Sequence, residues 1–229
     1  MSSVPLLAAR GLAVGYGATP VVTGLDLEVH AGEIVALLGR NGAGKTTTLL
    51  GLAGELRPTA GTLLWEGSPM RGPLHQRSRR GLGFVTEEKS VIFGLSVLDN
   101  LRLGRGDVDG AFALFPELVP LRRRVAGTLS GGEQQILTFA RALSRNPKVL
   151  LADELSLGLA PVIVARLTAA LRQAAAAGLG VLLVEQRVHS ALACSDRALV
   201  LGGGRVVLAG DSRDLLGRLD EIETSYLAG

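Results

Sequence analysis

Lys45 lies in the run Gly39-Arg40-Asn41-Gly42-Ala43-Gly44-Lys45-Thr46, which fits the phosphate-binding loop pattern G-x-x-x-x-G-K-[ST] in full. The chemistry follows from the residue types. The glycines allow a tight turn in which successive backbone N–H groups converge on phosphate oxygens. A helix opening over Thr46-Thr47-Thr48 adds unpaired N–H donors and the positive end of its dipole. The Lys45 ammonium suits β- and γ-phosphates, and the Thr46 hydroxyl is placed to ligate Mg2+. Asp153 and Glu154 form a second set, at the end of the apolar run Val149–Ala152. There Asp153 can hold Mg2+, directly or through water, while Glu154 can orient or deprotonate a water attacking the γ-phosphate. A third set is Ser130-Gly131-Gly132-Glu133, ahead of the helical run Ile136–Leu143. Ser130 is a good N-cap, and the two glycines leave the helix start open to an anion.

These groups need a scaffold that brings distant segments together. Ile34–Leu38 reads as a buried strand leading into the loop, and Val149–Ala152 and Val181–Val184 are apolar runs that suit strands buried on both faces of a parallel sheet. A carboxylate at the C-terminal end of such a strand sits at the ligand edge of the sheet. Leu6–Val14, Leu25–Val29, Thr62–Trp65 and Leu82–Val85 read as further strands, with Trp65 continuing an apolar core pattern. From Leu95 to Arg145 the pattern is helical, broken by Pro116 and Pro120. Pro161–Ala177 is an alanine-rich helix stopped by Gly178, and Ala198–Leu201 with Arg205–Leu208 reads as a hairpin across Gly202-Gly203-Gly204.

The 229 residues, 47% of them apolar, can bury a full core in one domain and exclude a disordered chain. A net charge of +3 makes no case for nucleic acid. Arginines cluster at Arg71, Arg77, Arg79 and Arg80 and again at Arg122–Arg124, which reads as solvated surface, with a face for anionic lipid headgroups or an acidic partner as the alternative. Cys194 is the single cysteine, so no intrachain disulfide forms, and its apolar neighbours suggest a buried thiol. His30, His75 and His189 lack metal-ligand spacing. The start shows no signal-peptide pattern, and the apolar stretches are too short to span a bilayer.

The run Leu129-Ser130-Gly131-Gly132-Glu133-Gln134-Gln135, placed between Lys45 and Asp153, resembles the LSGGQ signature of ATP-binding cassette (ABC) ATPases. The resemblance covers nearly the whole chain. It implies an α/β fold with a P-loop NTPase (RecA-like) core, an antiparallel β subdomain and an inserted helical subdomain. Residues 1–229 would be one ABC ATPase domain, with the core at 1–88 and 146–229 and the helical part at 89–145. It also implies that Tyr16 stacks on adenine and that the loop Gly39–Thr47 cradles the phosphates of ATP. Ser130–Glu133 would contact the ATP held by a second ABC ATPase subunit. Glu87 aligns with the family's Q-loop glutamine beside Mg2+, Gln186 with its switch histidine, Ala160 with the aspartate of its D-loop, and Leu155 with the proline after its catalytic acid.

Leu114–Leu118, Leu157–Pro161, Val184-Glu185-Gln186 and the terminal Tyr226-Leu227-Ala228-Gly229 are similar to one branch, the second ATPase subunit of branched-chain amino acid importers, with urea and amide importers related. That branch implies a different chain as the partner ATPase, two transmembrane permease subunits and an extracytoplasmic solute-binding protein. It places the chain at the cytoplasmic face of the plasma membrane. A soluble ABC ATPase outside transport is the other reading. Neither a second cassette nor a sustained heptad run supports a ribosomal or DNA-repair role.

Overall fold

The computed structural model describes residues 4–17, 19–88 and 90–227. The start at Met1–Ser3, Lys89 at the expected edge of the helical part, and the final Ala228-Gly229 lie outside the described residues.

β1 (Leu7–Tyr16) and β2 (Thr19–Val29) form an antiparallel pair, followed by β3 (Ile34–Gly39) and α1 (Lys45–Ala53). β4 (Ala60–Trp65) pairs antiparallel with β1 and with the short β5 (Ser68–Pro69), and α2 (Leu74–Arg79) leads into β6 (Leu82–Val85). Three helices come next: α3 (Val97–Leu103), α4 (Val108–Leu114) and α5 (Gly131–Leu143), with 3-10 turns at Pro116–Leu118 and Ala126–Thr128. β7 (Val149–Asp153), α6 (Pro161–Ala176), β8 (Gly180–Glu185), α7 (Val188–Cys194), β9 (Arg197–Gly202), β10 (Arg205–Asp211), α8 (Ser212–Leu216) and α9 (Leu219–Leu227) complete the chain.

Among the described residues the strands form two sheets, a four-stranded one in the order β2-β1-β4-β5 and a six-stranded one in the order β10-β9-β3-β8-β7-β6. β9, β3, β8, β7 and β6 run parallel, and β10 returns antiparallel on β9. Every residue of β3, β7 and β8 is buried, as continuous apolar runs in the middle of a covered parallel sheet require. The parallel order places Gly39, Asp153 and Glu185, the last residues of β3, β7 and β8, along one edge.

Side-chain alternation sorts the strands between cores. Val35 and Leu37 of β3 pack with Leu49 and Leu52 of α1 under the antiparallel sheet. Ala36 and Leu38 face α7, α8 and α9 through Ala191, Leu215 and Ile222. On β7 and β8, Leu150, Ala152, Val181 and Leu183 pack with α5 and α6 in a core that also holds Phe115 and Phe139. Both phenylalanines are at most 1% exposed, and truncating either to alanine would cost about 3–5 kcal/mol.

Three differences from the sequence reading have physical causes. β2 extends back to Thr19 although Pro20 and Gly24 break the alternation, because shifts of register at Ala9/Leu12, Leu12/Val14 and Val14/Gly15 absorb the mismatch with β1. The helices α7 to α9 are short and covered by one small cluster, so their periodicity is too brief to read. Arg77 is not solvated surface: it is 4% exposed, whereas Arg71, Arg79, Arg80 and Arg122–Arg124 are exposed. Its guanidinium donates to the carbonyls of Gly51 (3.0 Å), Leu52 (2.6 Å) and Gly72 (2.8 Å), satisfying the C-terminal end of α1.

Candidate nucleotide site

The loop between β3 and α1 owes its shape to glycine at two positions. Gly42 has φ 83 and Gly44, the residue capping α1, has φ 102. A Cβ on Gly44 would also lie 2.4 Å from Val22 Cγ2, so the antiparallel sheet holds the loop closely. Lys45 is 5% exposed, and its Nζ donates to the carbonyls of Gly39 (2.8 Å) and Arg40 (3.0 Å). Burial lowers its pKa, opposed by the charges of Glu154, Asp153 and Glu185. Arg40 leaves the loop and donates to the Tyr226 carbonyl of α9 at 3.1 Å.

An open cavity of about 600 Å3 lies over the loop, lined by Tyr16, Asn41, Gly42, Gly44, Lys45, Thr46, Thr47, Glu87, Glu154 and Gln186, with Val21 and Leu157. Residues from five separate segments thus meet. Tyr16 is 59% exposed at the rim, free to present its ring face. Gly39, Arg40 and Ala43 shape the loop from behind without lining the cavity.

Asp153 sits beneath, 3% exposed. Burial raises its pKa, the neighbouring Thr46 side chain pulls the other way, and Glu154 and Glu87 add to the rise. Its Oδ1 is buried with no hydrogen-bond partner among the described residues. An unpartnered buried carboxylate oxygen next to a threonine hydroxyl fits a hard divalent cation. Among the described residues there is no group of three or more His, Cys, Asp or Glu that could hold a metal ion by itself.

Glu154 has φ 46, an uncommon conformation for a side-chain-bearing residue that costs about 1–3 kcal/mol. Its N–H donates to the Val184 carbonyl at 3.0 Å, and its Oε1 accepts from Gln186 Nε2 at 2.5 Å. Leu155, in place of the expected proline, is 1% exposed and packs into the core of α5 and α6. Ala160 is extended just before Pro161, which starts α6.

Ser130, Gly131, Gly132 and Glu133 do not reach this cavity. They open α5 with a reciprocal cap: Ser130 Oγ accepts from the Glu133 N–H at 3.3 Å, and Glu133 Oε2 accepts from the Ser130 N–H at 2.7 Å. Glu185, which the sequence marks only as a branch feature, and Ser156, which it does not mark, are hydrogen-bonded to each other beside Glu154. The signal was available: both apolar strands end in acids, and parallel pairing sets those ends side by side.

The family model described as ABC transporter matches residues 22–156. The chain is 38% identical over 224 residues to the high-affinity branched-chain amino acid transport ATP-binding protein BraG of Pseudomonas aeruginosa, covering 93% of this chain and 96% of that one. It is 37% identical to the lipopolysaccharide export system ATP-binding protein LptB of Escherichia coli, covering 92% of each. A solved structure of the ATP-binding subunit of an ABC transporter superposes with a TM-score of 0.83 at 27% identity, over 97% of this chain and 99% of that one.

Proposed function

This chain belongs to the ABC transporter ATP-binding family, and from that membership we propose that it powers an importer of branched-chain amino acids. Members are ATP-binding, ATP-hydrolysing subunits that dimerise and work with transmembrane permease subunits. The solute rests on the likeness to BraG over nearly the full length of both chains. The likeness to LptB is almost as high, so the branch features at Leu114–Leu118, Leu157–Pro161 and Glu185-Gln186 are what favour import.

The site roles rest on one observation, the cavity that gathers Lys45, Thr46, Glu87, Glu154 and Gln186 around a glycine loop. In this reading the loop N–H groups and Lys45 hold the β- and γ-phosphates of ATP, and Tyr16 stacks on the adenine. Thr46 and Asp153, with Glu87 at the rim, would hold Mg2+, which when bound would neutralise charge on the phosphates. Glu154 orients and deprotonates the attacking water, and Gln186 donates to the γ-phosphate. Ser130–Glu133 lie outside the cavity, and their place is against the ATP of the partner ATPase. The segment 89–145 that carries them forms the helical subdomain. No described helix is long and apolar enough to cross a membrane. The chain is then held at the cytoplasmic face by two permease subunits, with a different chain as partner ATPase and a solute-binding protein outside.

Co-expression with candidate permeases and the partner ATPase, followed by reconstitution, tests this. We expect leucine and its loaded binding protein to stimulate ATP turnover. Copurification without any permease, or stimulation only by an unrelated solute, would overturn the import assignment.

A further inference from the structure

Glu185 ends β8 one residue before Gln186 and is 4% exposed. Its Oε1 accepts from the Ser156 N–H at 2.9 Å and its Oε2 from the Ser156 hydroxyl at 2.7 Å. Ser156 is itself 3% exposed. Two bonds from one carboxylate to one residue fix the position and the rotation of that residue's backbone. Two residues earlier stands Glu154 in its left-handed conformation, which persists only where the surroundings over-determine it. β7 and β8 pair with Asp153 opposite Val184, so the turn after β7 runs directly beside the end of β8. Burial pushes the Glu185 carboxyl up, and the Ser156 bonds pull it back.

We propose that Glu185 is a positioning residue for ATP hydrolysis: through Ser156 it locks the turn that aims Glu154 at the attacking water. The proposal rests on Glu154 as the base. The role is geometric. An amide at this position still accepts from the Ser156 N–H and donates to the hydroxyl, which rotates to accept. Glu185→Gln therefore keeps both bonds, whereas Glu185→Ala loses both.

The test measures kcat and KM for ATP in the assembled transporter for Glu185→Ala, Glu185→Gln, Ser156→Ala and the double alanine variant, with Glu154→Gln as control. Hydrogen exchange at the Ser156 amide is read in the same proteins. Glu185→Ala should lower kcat about 10²-fold, with KM within about 3-fold of wild type. Glu185→Gln should restore kcat to within about 3-fold, and the double variant should fall no further than Glu185→Ala. Exchange at Ser156 should quicken at least about tenfold in Glu185→Ala and not in Glu185→Gln. If Glu185→Ala fails to fold, Ser156→Ala carries the expectation, with kcat about tenfold lower and KM unchanged. Wild-type kcat in the alanine variants, an equal loss in Glu185→Gln, or unchanged exchange at Ser156 would overturn the proposal while leaving Glu154 in place. Normal turnover by Glu154→Gln would overturn the base and the proposal together.

Discussion

Gln186 Nε2 donates to Glu154 Oε1 at 2.5 Å, across the ends of two adjacent parallel strands. The amide that can meet a γ-phosphate is thus already in contact with the acid that would act on the water. Glutamine does not titrate, so this contact carries a hydrogen bond and no proton switch.

Replacing Gln186 by alanine removes a donor to developing negative charge and should slow hydrolysis about 10²-fold. Gln186→Glu should be slower still, because it sets a second carboxylate against Glu154 and phosphate. Single-turnover hydrolysis in the assembled complex checks both. Wild-type rates in the two variants would remove Gln186 from the site.

Ser130 caps α5 and does not line the cavity over Lys45, which agrees with the proposed contact to the partner's nucleotide. Ser130→Arg should therefore damage the site whose phosphate loop belongs to the partner. Nucleotide trapping at each loop, in a pair with one altered subunit, reads this directly. Loss confined to the altered chain's own loop would contradict it.

Arg77 should matter for stability and not for chemistry. Arg77→Met removes three donors and leaves the carbonyls of Gly51, Leu52 and Gly72 short of partners. We expect a loss of about 2–4 kcal/mol in unfolding free energy, with kcat and KM for ATP unchanged at temperatures where the variant is folded. Chemical denaturation and steady-state kinetics measure the two sides.

Cys194 gives a pH dependence of known sign. Burial lifts its thiol from an ordinary value of 9.0 to about 11. Between those values the unfolded chain releases a proton that the folded chain keeps, so this group's contribution to stability is full below about pH 9 and falls as pH rises toward about 11. Cys194→Ala should make the stability-against-pH curve shallower in that window alone. A thiol reagent at neutral pH should react slowly with the folded protein.

The loop Gly39–Thr46 and the cap at Ser130 were legible because their chemistry is written in consecutive residues. The parallel strands were legible because burial on both faces demands unbroken apolar runs, as in Val149–Ala152 and Val181–Val184. What pairs across the sheet was not. Glu185 acquires its partner from the register of β7 against β8, and Arg77 from the turn that folds α2 onto the end of α1. Neither contact has a local pattern. Arg40 on Tyr226 links positions at opposite ends of the chain for the same reason.

The proposed mechanism divides the labour between Lys45 and Glu154. In the proposed mechanism Lys45 would meet the bound phosphates in the ground state, whereas Glu154 would act only on the water. ATP affinity and steady-state hydrolysis in the assembled complex, measured for Lys45→Ala and Glu154→Gln, separate the two. Lys45→Ala should lose tight ATP binding, while Glu154→Gln should bind ATP as wild type does and lose turnover by about 10²–10⁴-fold. Normal hydrolysis by Glu154→Gln, or wild-type ATP affinity in Lys45→Ala, would contradict it.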